Sequence, residues 1–576
     1  MSKSIAVIDS ETDPFGSRDA SGALFVPRPF IWGFDDGERY REFDTVKELV
    51  EFLTPQKIIV YAHNGGKFDY HFLLPFLDGY SEVLIINGRL SRFMIGECEF
   101  RDSYNILPIP LGAYKKDEFD YSKMDAKNRQ NHMPEIRRYL RNDCKYLLEL
   151  VTKFRETYGG GITLAGCAFK YWQTHFDKEA PQTTADFYND ISPFYYGGRV
   201  QCFAHGIIDR PFRLVDINSA YPHAMLHDHP ISTSCVDVGR VLKTDPIIQQ
   251  SLYTVRAISR GALPFRHKGK LTFPTDHFLR TYTVTGWELE AGIDTGTVEV
   301  YDIPSRLDFG NTINFVDYVG HFYAMKNSVA KESPDYVFAK LFLNSLYGKF
   351  GANPENYANY GIVPVDKANW FVKPDLAAQA LESSDSALDI GKHHAPYNDG
   401  KDGFPVGYYW QAAGTLGPWA LLQGDLAESE QRYYNLATAA SITGFVRAYL
   451  WRHICKIREA GGELLYCDTD SIAFAGAGIE QFTLSRELGD WGIDGEFVRG
   501  GIAGKKLYAF EYTTPKVKDG ATITHKTASK GVRLDADQIM RIAAGETILT
   551  EHEAPTFSVH AEPRFVSRRI KATNDG

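Results

Sequence analysis

At 576 residues the chain is too long for one small domain, and 44% hydrophobic with 24% charged residues is the make-up of a globular protein with ample core. A net charge of −10 argues against a uniformly basic nucleic-acid-coating protein, although positive charge can be concentrated locally beside acidic sites. Seven cysteines without a CxxC pair exclude zinc ribbons and a disulfide framework, and no apolar run approaches a membrane span, so a cytoplasmic protein is expected.

The run 5–8 (Ile, Ala, Val, Ile) suits a strand buried on both faces and delivers Asp9 and Glu11 at its end. A second strand, 58–62, runs into His63, Asn64, Gly65, Gly66, Lys67, Phe68 and Asp69, where the glycine pair permits a tight turn and Asp69 starts a helix. The segment 136–148 is helical, with Tyr139 and Asp143 one turn apart on one face. Four carboxylates (Asp9, Glu11, Asp69, Asp143) and one phenol form the set a two-metal phosphodiester hydrolase needs, the Tyr139 hydroxyl orienting the water.

Further along, Tyr195, Tyr196, Gly197, Gly198 and Arg199 follow Pro193 at an expected domain junction. There, bare glycines allow close backbone approach and the flanking Tyr and Arg are placed to grip a strand. A short strand ends at Asp216, followed by Ile217, Asn218, Ser219, Ala220 and Tyr221. Tyr221 suits a place behind an incoming sugar, leaving no room for a 2′-hydroxyl. Residues 226–318 read as a module of short strands without a catalytic constellation. The stretch 335–351 reads as one helix with Lys340, Asn344 and Tyr347 on a single stripe and Gly348 bare beside them. Finally, 464–474 reads as a β-hairpin with Asp468 and Asp470 at its tip, both able to face one side and a hard cation.

These stretches together resemble a family B DNA polymerase. The resemblance rests on Asp216 to Pro222, Lys340 to Gly348 and Tyr466 to Ser471, preceded by three motifs similar to those of a 3′–5′ proofreading exonuclease of the tyrosine subtype. Ala220 departs from the family's usual Leu, and the loop holding Asn64 has one extra residue. Compactness, the Tyr-x-Gly-Gly element and inserts on both sides of the Lys340 helix are similar to the protein-primed branch of phages and linear plasmids.

The resemblance implies an α/β and α+β multidomain fold. A ribonuclease-H-like exonuclease domain (1–175) precedes a right-hand polymerase (176–576), with palm 176–225 and 408–525, fingers 318–352 and thumb 526–576. Two terminal-protein-region inserts, 226–317 and 353–407, complete it, the second with a protruding hairpin. It further implies that Thr12, Asn64 and Phe68 hold a frayed single strand, and that Tyr195, Gly197, Gly198, Gly348, Lys506, Tyr508 and Lys530 contact DNA. Tyr221, Lys340, Asn344, Tyr347 and Lys326 would bind the nucleotide. Two Mg²⁺ ions per site, with Mn²⁺ as substitute, would be held by Asp216, the Ile217 carbonyl and Asp470 (Asp468 close by), and by Asp9, Glu11, Asp69 and Asp143. Partners would be template-primer DNA, dNTPs and a terminal protein acting as primer. From Arg499 to Arg541 nine basic residues face four acidic ones, a plausible duplex-contacting surface. Two alternatives remain: an RNA-templated polymerase and a non-catalytic, polymerase-shaped initiation factor.

Overall fold

The computed structural model describes residues 3–77, 81–115, 117–354, 357–366, 410–425, 431–518, 521–551, 553–559 and 561–573. The protruding hairpin expected in the second insert lies outside the described residues.

Ile5–Thr12 lies inside a ten-stranded sheet, parallel to Ile59–Ala62 and antiparallel to Pro29–Asp35. Its apolar run is buried on both faces for a simple reason: alternate side chains enter different cores. Val7 packs with Leu140, Cys144 and Leu147 of the helix Met133–Tyr158, while Ala6 and Ile8 pack with Trp32, Leu49 and Leu53. That helix can approach closely because Gly33 is bare; a Cβ there would sit 2.9 Å from Cys144 Sγ and 3.0 Å from Leu140 Cγ. Asp69 does not start an α-helix. Asp69–Phe72 and Leu74–Phe76 are short 3₁₀ turns, with Pro75 near the start of the second removing a backbone donor.

The far edge of this sheet is formed by Ala358–Pro364, Trp419–Asp425 and Trp410–Leu416, which continue it beyond Ser81–Ile86. Residues 410–425 therefore extend the first domain's sheet, where a palm segment was expected. Leu416 and Leu421 carry them into the first domain's apolar core, beside Ile362 of Ala358–Pro364.

A second sheet of eight strands orders Ala521–Ser529, Leu507–Lys518, Trp491–Gly504, Phe212–Ile217, Ser471–Ala475, Glu463–Asp468 and Val200–Cys202, with Gly206–Ile208 pairing beside Trp491–Gly504. Packed against this palm is Leu436–Glu459, a helix buried on nearly every side. Arg447 within it pairs with Glu288 at 2.7 Å, both side chains 1% exposed, and donates to the carbonyls of Tyr196 and Gly197. Glu288 belongs to Gly286–Asp294, a helix of the first insert, which also holds a four-stranded sheet.

The expected single helix 335–351 is broken. Pro334–Leu343 ends at Asn344, and Leu346–Phe350 starts anew. Asn344 Nδ2 bonds the Lys340 carbonyl at 2.9 Å and Ser345 Oγ the Leu341 carbonyl at 2.5 Å, so polar side chains compete with the helix for its own acceptors.

The expected thumb at the chain's end also departs from a simple thumb. Ala521–Ser529 stays in the palm sheet, and the capped helix Ala536–Ala543 packs on Trp491–Gly504. Thr556–Ser558 and the residue after it reach back to the first domain: Val559, fully buried, joins that domain's core, and Phe557 meets Phe68 and Phe72 edge-on. Among the described residues no helix is long and apolar enough to cross a membrane.

Candidate active sites

Asp9 and Glu11 lie two apart on one strand, so the pleat aims both at the same side, and the helix Met133–Tyr158 brings Asp143 to meet them. Ligand atoms of these three residues lie within 4.8 Å of one another, the one such group of three or more among the described residues. Burial, then the charges of Asp69, Glu11 and Asp143, hold the Asp9 carboxyl well above its ordinary range. Burial, then Asp143 and Asp69, does the same to Glu11. Glu11 Oε1 is buried without a hydrogen-bond partner.

Asp69 stands beside the trio and accepts a 2.5 Å bond from Ser10 Oγ; burial pushes it up to about 6 against that bond. Negative groups crowded together out of water, one Glu11 oxygen among them left unbonded, fit a hard divalent cation. Tyr139, one turn from Asp143, shares a 3.0 Å hydrogen bond with the Tyr121 hydroxyl. The implied strand-holding residues cluster nearby, each with a bond or contact of its own. Thr12 Oγ1 donates to the Asp13 carbonyl, Asn64 Oδ1 accepts from Arg89 at 2.6 Å, and Phe68 sits among Phe15, Phe72 and Phe557. Ser10, Tyr121 and Phe557 escaped the sequence reading, because only the register and the chain's return bring them here.

In the palm, Asp216 pairs in register with Ser471, and the Ile217 N–H donates to the Asp470 carbonyl at 2.8 Å. Residues 254 apart thus share one end of the sheet. Asp470 is pushed up to about 6 by burial and then by the charges of Asp216 and Asp468. The expectation that Asp468 and Asp470 face one cation together needs correcting. Thr469 takes a left-handed φ of 58°, so the tip is a tight turn rather than extended backbone and the alternation breaks. Asp468 is held instead by Lys506, whose Nζ lies 2.8 Å from both carboxylate oxygens.

Arg199 and Gly198 support this turn from beneath. The Thr469 N–H donates to the Arg199 carbonyl at 2.6 Å, and a Cβ on Gly198 would lie 2.6 Å from Thr469 Oγ1. Arg199 does not grip a strand. Its side chain is 1% exposed, bonded to the Gly261 carbonyl and stacked near Phe273 and Trp451. Gly197 is exposed, and the Tyr195 hydroxyl lies against Gly351.

Tyr221 and Tyr347 stack with ring centres 4.2 Å apart and planes 16° from parallel, both within reach of the Asp470 charge. Lys326 lies near Lys340; burial first, then that like charge, lowers its pKa. Lys340, Asn344 and Gly348 are exposed, with open space around Gly348. Tyr508 packs on Tyr466 and Phe510 behind Lys506, and Lys530, exposed, donates its N–H to the Lys506 carbonyl. The neighbours of Asp216 were not foreseen: Asp494, Lys526 and Lys516.

A family profile described as DNA polymerase type B, organellar and viral, matches residues 108–385. Over 601 aligned residues the chain is 32% identical to the DNA-directed DNA polymerase of Enterobacteria phage PRD1, covering 99% of this chain and 98% of that one. The chain belongs to the type B DNA polymerases. The polymerase is also 23% identical over 545 residues to the DNA polymerase of Bacillus phage phi29, covering 83% of each. It is 23% identical over 587 residues to a probable DNA polymerase of Agaricus bitorquis, covering 86% of this chain and 69% of that one. Its fold matches phi29 DNA polymerase complexed with primer-template DNA and incoming nucleotide over 100% of both chains, with a TM-score of 0.69 at 17% identity. The expected order, an exonuclease-like domain before a right-hand polymerase, is the one observed, and the reading as a DNA-directed DNA polymerase holds.

Proposed function

We propose that the polymerase runs two separate reactions on DNA: nucleotide addition in the palm and 3′–5′ removal in the first domain. The observation that carries this reading is the pair of acidic centres, Asp9, Glu11 and Asp143 in one sheet, Asp216 and Asp470 in the other. Asp9, Glu11, Asp69 and Asp143 would hold divalent ions in the first domain; Asp216, Asp470 and the Ile217 carbonyl would hold them in the palm. Magnesium, two ions per centre with manganese as substitute, would activate the attacking hydroxyl or water and offset charge on the leaving group.

The protein's own groups supply position and countercharge. Tyr139 orients the water in the first domain. In the palm the Tyr221–Tyr347 stack shapes the nucleotide pocket, and Lys340 with Lys326 neutralises the triphosphate. Lys506 and Tyr508 steady the primer end, with Lys530 and the Tyr195–Gly198 segment along the duplex. The family assignment favours DNA over RNA as template.

Asp470→Ala should abolish primer extension yet leave Mg²⁺-dependent degradation, and Asp143→Ala should do the reverse. Extension surviving in the first variant, or degradation in the second, refutes the assignment. We further propose that synthesis starts on a hydroxyl of a terminal protein, with the two inserts serving this start and strand displacement, in a host cytoplasm. Labelled dATP, a candidate terminal protein and no oligonucleotide should give a covalently labelled protein; absence of label with an otherwise active enzyme would reject protein priming.

A further inference from the structure

Asp468 and Asp216 stand on palm strands separated only by Ser471–Ala475, both close to lysines, and the two meet opposite fates. Asp468 is capped by Lys506. Asp216 makes no ion pair among the described residues, although Lys526 and Lys516 are close enough to act on its charge. The difference lies in Asp494. Along Trp491–Gly504, Ile493 pairs with Val215 and Gly495 with Leu214, so Asp494 is an extra residue with no partner on the neighbouring strand. Such a bulge re-aims a side chain. Here it sets Asp494 between Asp216 and the lysines: Lys526, reaching across from Ala521–Ser529, pairs with the Asp494 carboxylate, and Lys516 Nζ bonds its carbonyl at 2.5 Å. Gly492, opposite Asp216, completes the arrangement, since a Cβ there would lie only 3.3 Å from Asp216 Oδ1.

We propose that Asp494 is a positioning residue of the polymerisation site, which holds Lys526 and Lys516 away from Asp216 so that its carboxylate stays open to a divalent cation. This rests on the palm assignment proposed above. Without the Asp494 carboxylate the Lys526 ammonium would turn to Asp216 and close it, as Lys506 closes Asp468, while Lys516 keeps its bond to the main-chain carbonyl. Removing Lys526 instead would take away a competitor and leave Asp494 adding to the local negative potential.

The two changes therefore have opposite signs, which a merely structural role would not produce. The test is direct Mn²⁺ binding, followed by electron paramagnetic resonance, in full-length protein carrying Asp9→Ala, Glu11→Ala and Asp143→Ala so that the palm dominates. Asp494→Asn should weaken binding on the order of tenfold and Lys526→Met should tighten it several-fold, from one unit charge moved beside the ion. Asp494→Glu should stay within about twofold of the parent, and melting curves identify any variant that has unfolded. The Mg²⁺ concentration for half-maximal extension should move in parallel in the exonuclease-active protein. Equal binding in all variants, or weakening in both Asp494→Asn and Lys526→Met, would overturn the proposal while Asp470→Asn still removes the palm signal. Retention of that signal in Asp470→Asn would instead overturn the palm assignment itself.

Discussion

The two acidic centres solve the problem of gathering carboxylates in different ways. In the first domain Asp9, Glu11 and Asp143 crowd together under cover, with Asp69 alongside, and no ammonium or guanidinium bonds Asp9, Glu11 or Asp69 among the described residues. In the palm the acidic groups are interleaved with lysines, Asp468 with Lys506 and Asp494 with Lys526. The first arrangement is strained until something positive arrives, because buried like charges raise one another's free energy. The second is largely neutralised in advance and leaves Asp216 and Asp470 as the open pair. A centre of the first kind depends on its cation for stability as well as chemistry; one of the second kind depends on it chiefly for chemistry.

Losing a lysine of the palm sharpens this contrast most. Lys506→Met should lower extension by about 10²-fold, roughly 3 kcal/mol, by freeing Asp468 and loosening the primer side of the site, with degradation unchanged. Primer extension and single-strand degradation measured side by side check it, and an equal fall in both would erase the distinction.

Acid should act on the first domain with a definite sign. Asp69 has its folded pKa raised to about 6 from an ordinary 3.8, so the stability it contributes is fully present below about pH 4 and is lost as pH rises through about 6. For this buried group the difference is about 3 kcal/mol, and Asp9 and Glu11 shift in the same direction. Metal-free protein should therefore gain stability in its first domain on going from pH 7 towards 5, and magnesium at pH 7 should replace most of that gain. Calorimetric scans with and without the ion test both statements; a first domain indifferent to magnesium would contradict the comparison.

Adding one methyl group beneath the palm turn should cost less. Gly198→Ala places a Cβ against Thr469, shifts Asp470 from Asp216 and should slow extension by about tenfold with degradation intact. Smallest of all, Asp143→Asn should raise the melting point of the metal-free protein by a few degrees, about 1–2 kcal/mol, by relieving the buried repulsion, while abolishing the further rise with magnesium. An Asp143→Asn variant that melts lower would place Asp143 in a structural role.

Much of this could be read before any coordinates. The apolar run 5–8 implied a strand covered on both faces, and it is, with Val7 in one core and Ala6 and Ile8 in another. The spacing of Tyr139 and Asp143 on a helix and the hairpin around Asp468 to Ser471 were equally legible, because short-range periodicity is written in consecutive residues. Where local rules failed, a polar side chain or a packing demand overrode them. Asn344 and Ser345 ended a helix whose apolar pattern continues, and Arg199, charged and next to two glycines, proved to be buried beneath the palm turn.

Sequence alone determined the family and singled out the carboxylates proposed for the two centres, since motif chemistry and hydrophobic periodicity reside in neighbouring residues. Tertiary structure alone decided their company: Lys506 on Asp468, Asp494 between Asp216 and Lys526, Phe557 against Phe68, and 410–425 on the edge of the first sheet. Those pairings join residues tens to hundreds of positions apart, and strand register, one bulge and the return of the chain's end set them. No local pattern encodes such distances, because they are fixed only when separate segments bury their apolar faces together.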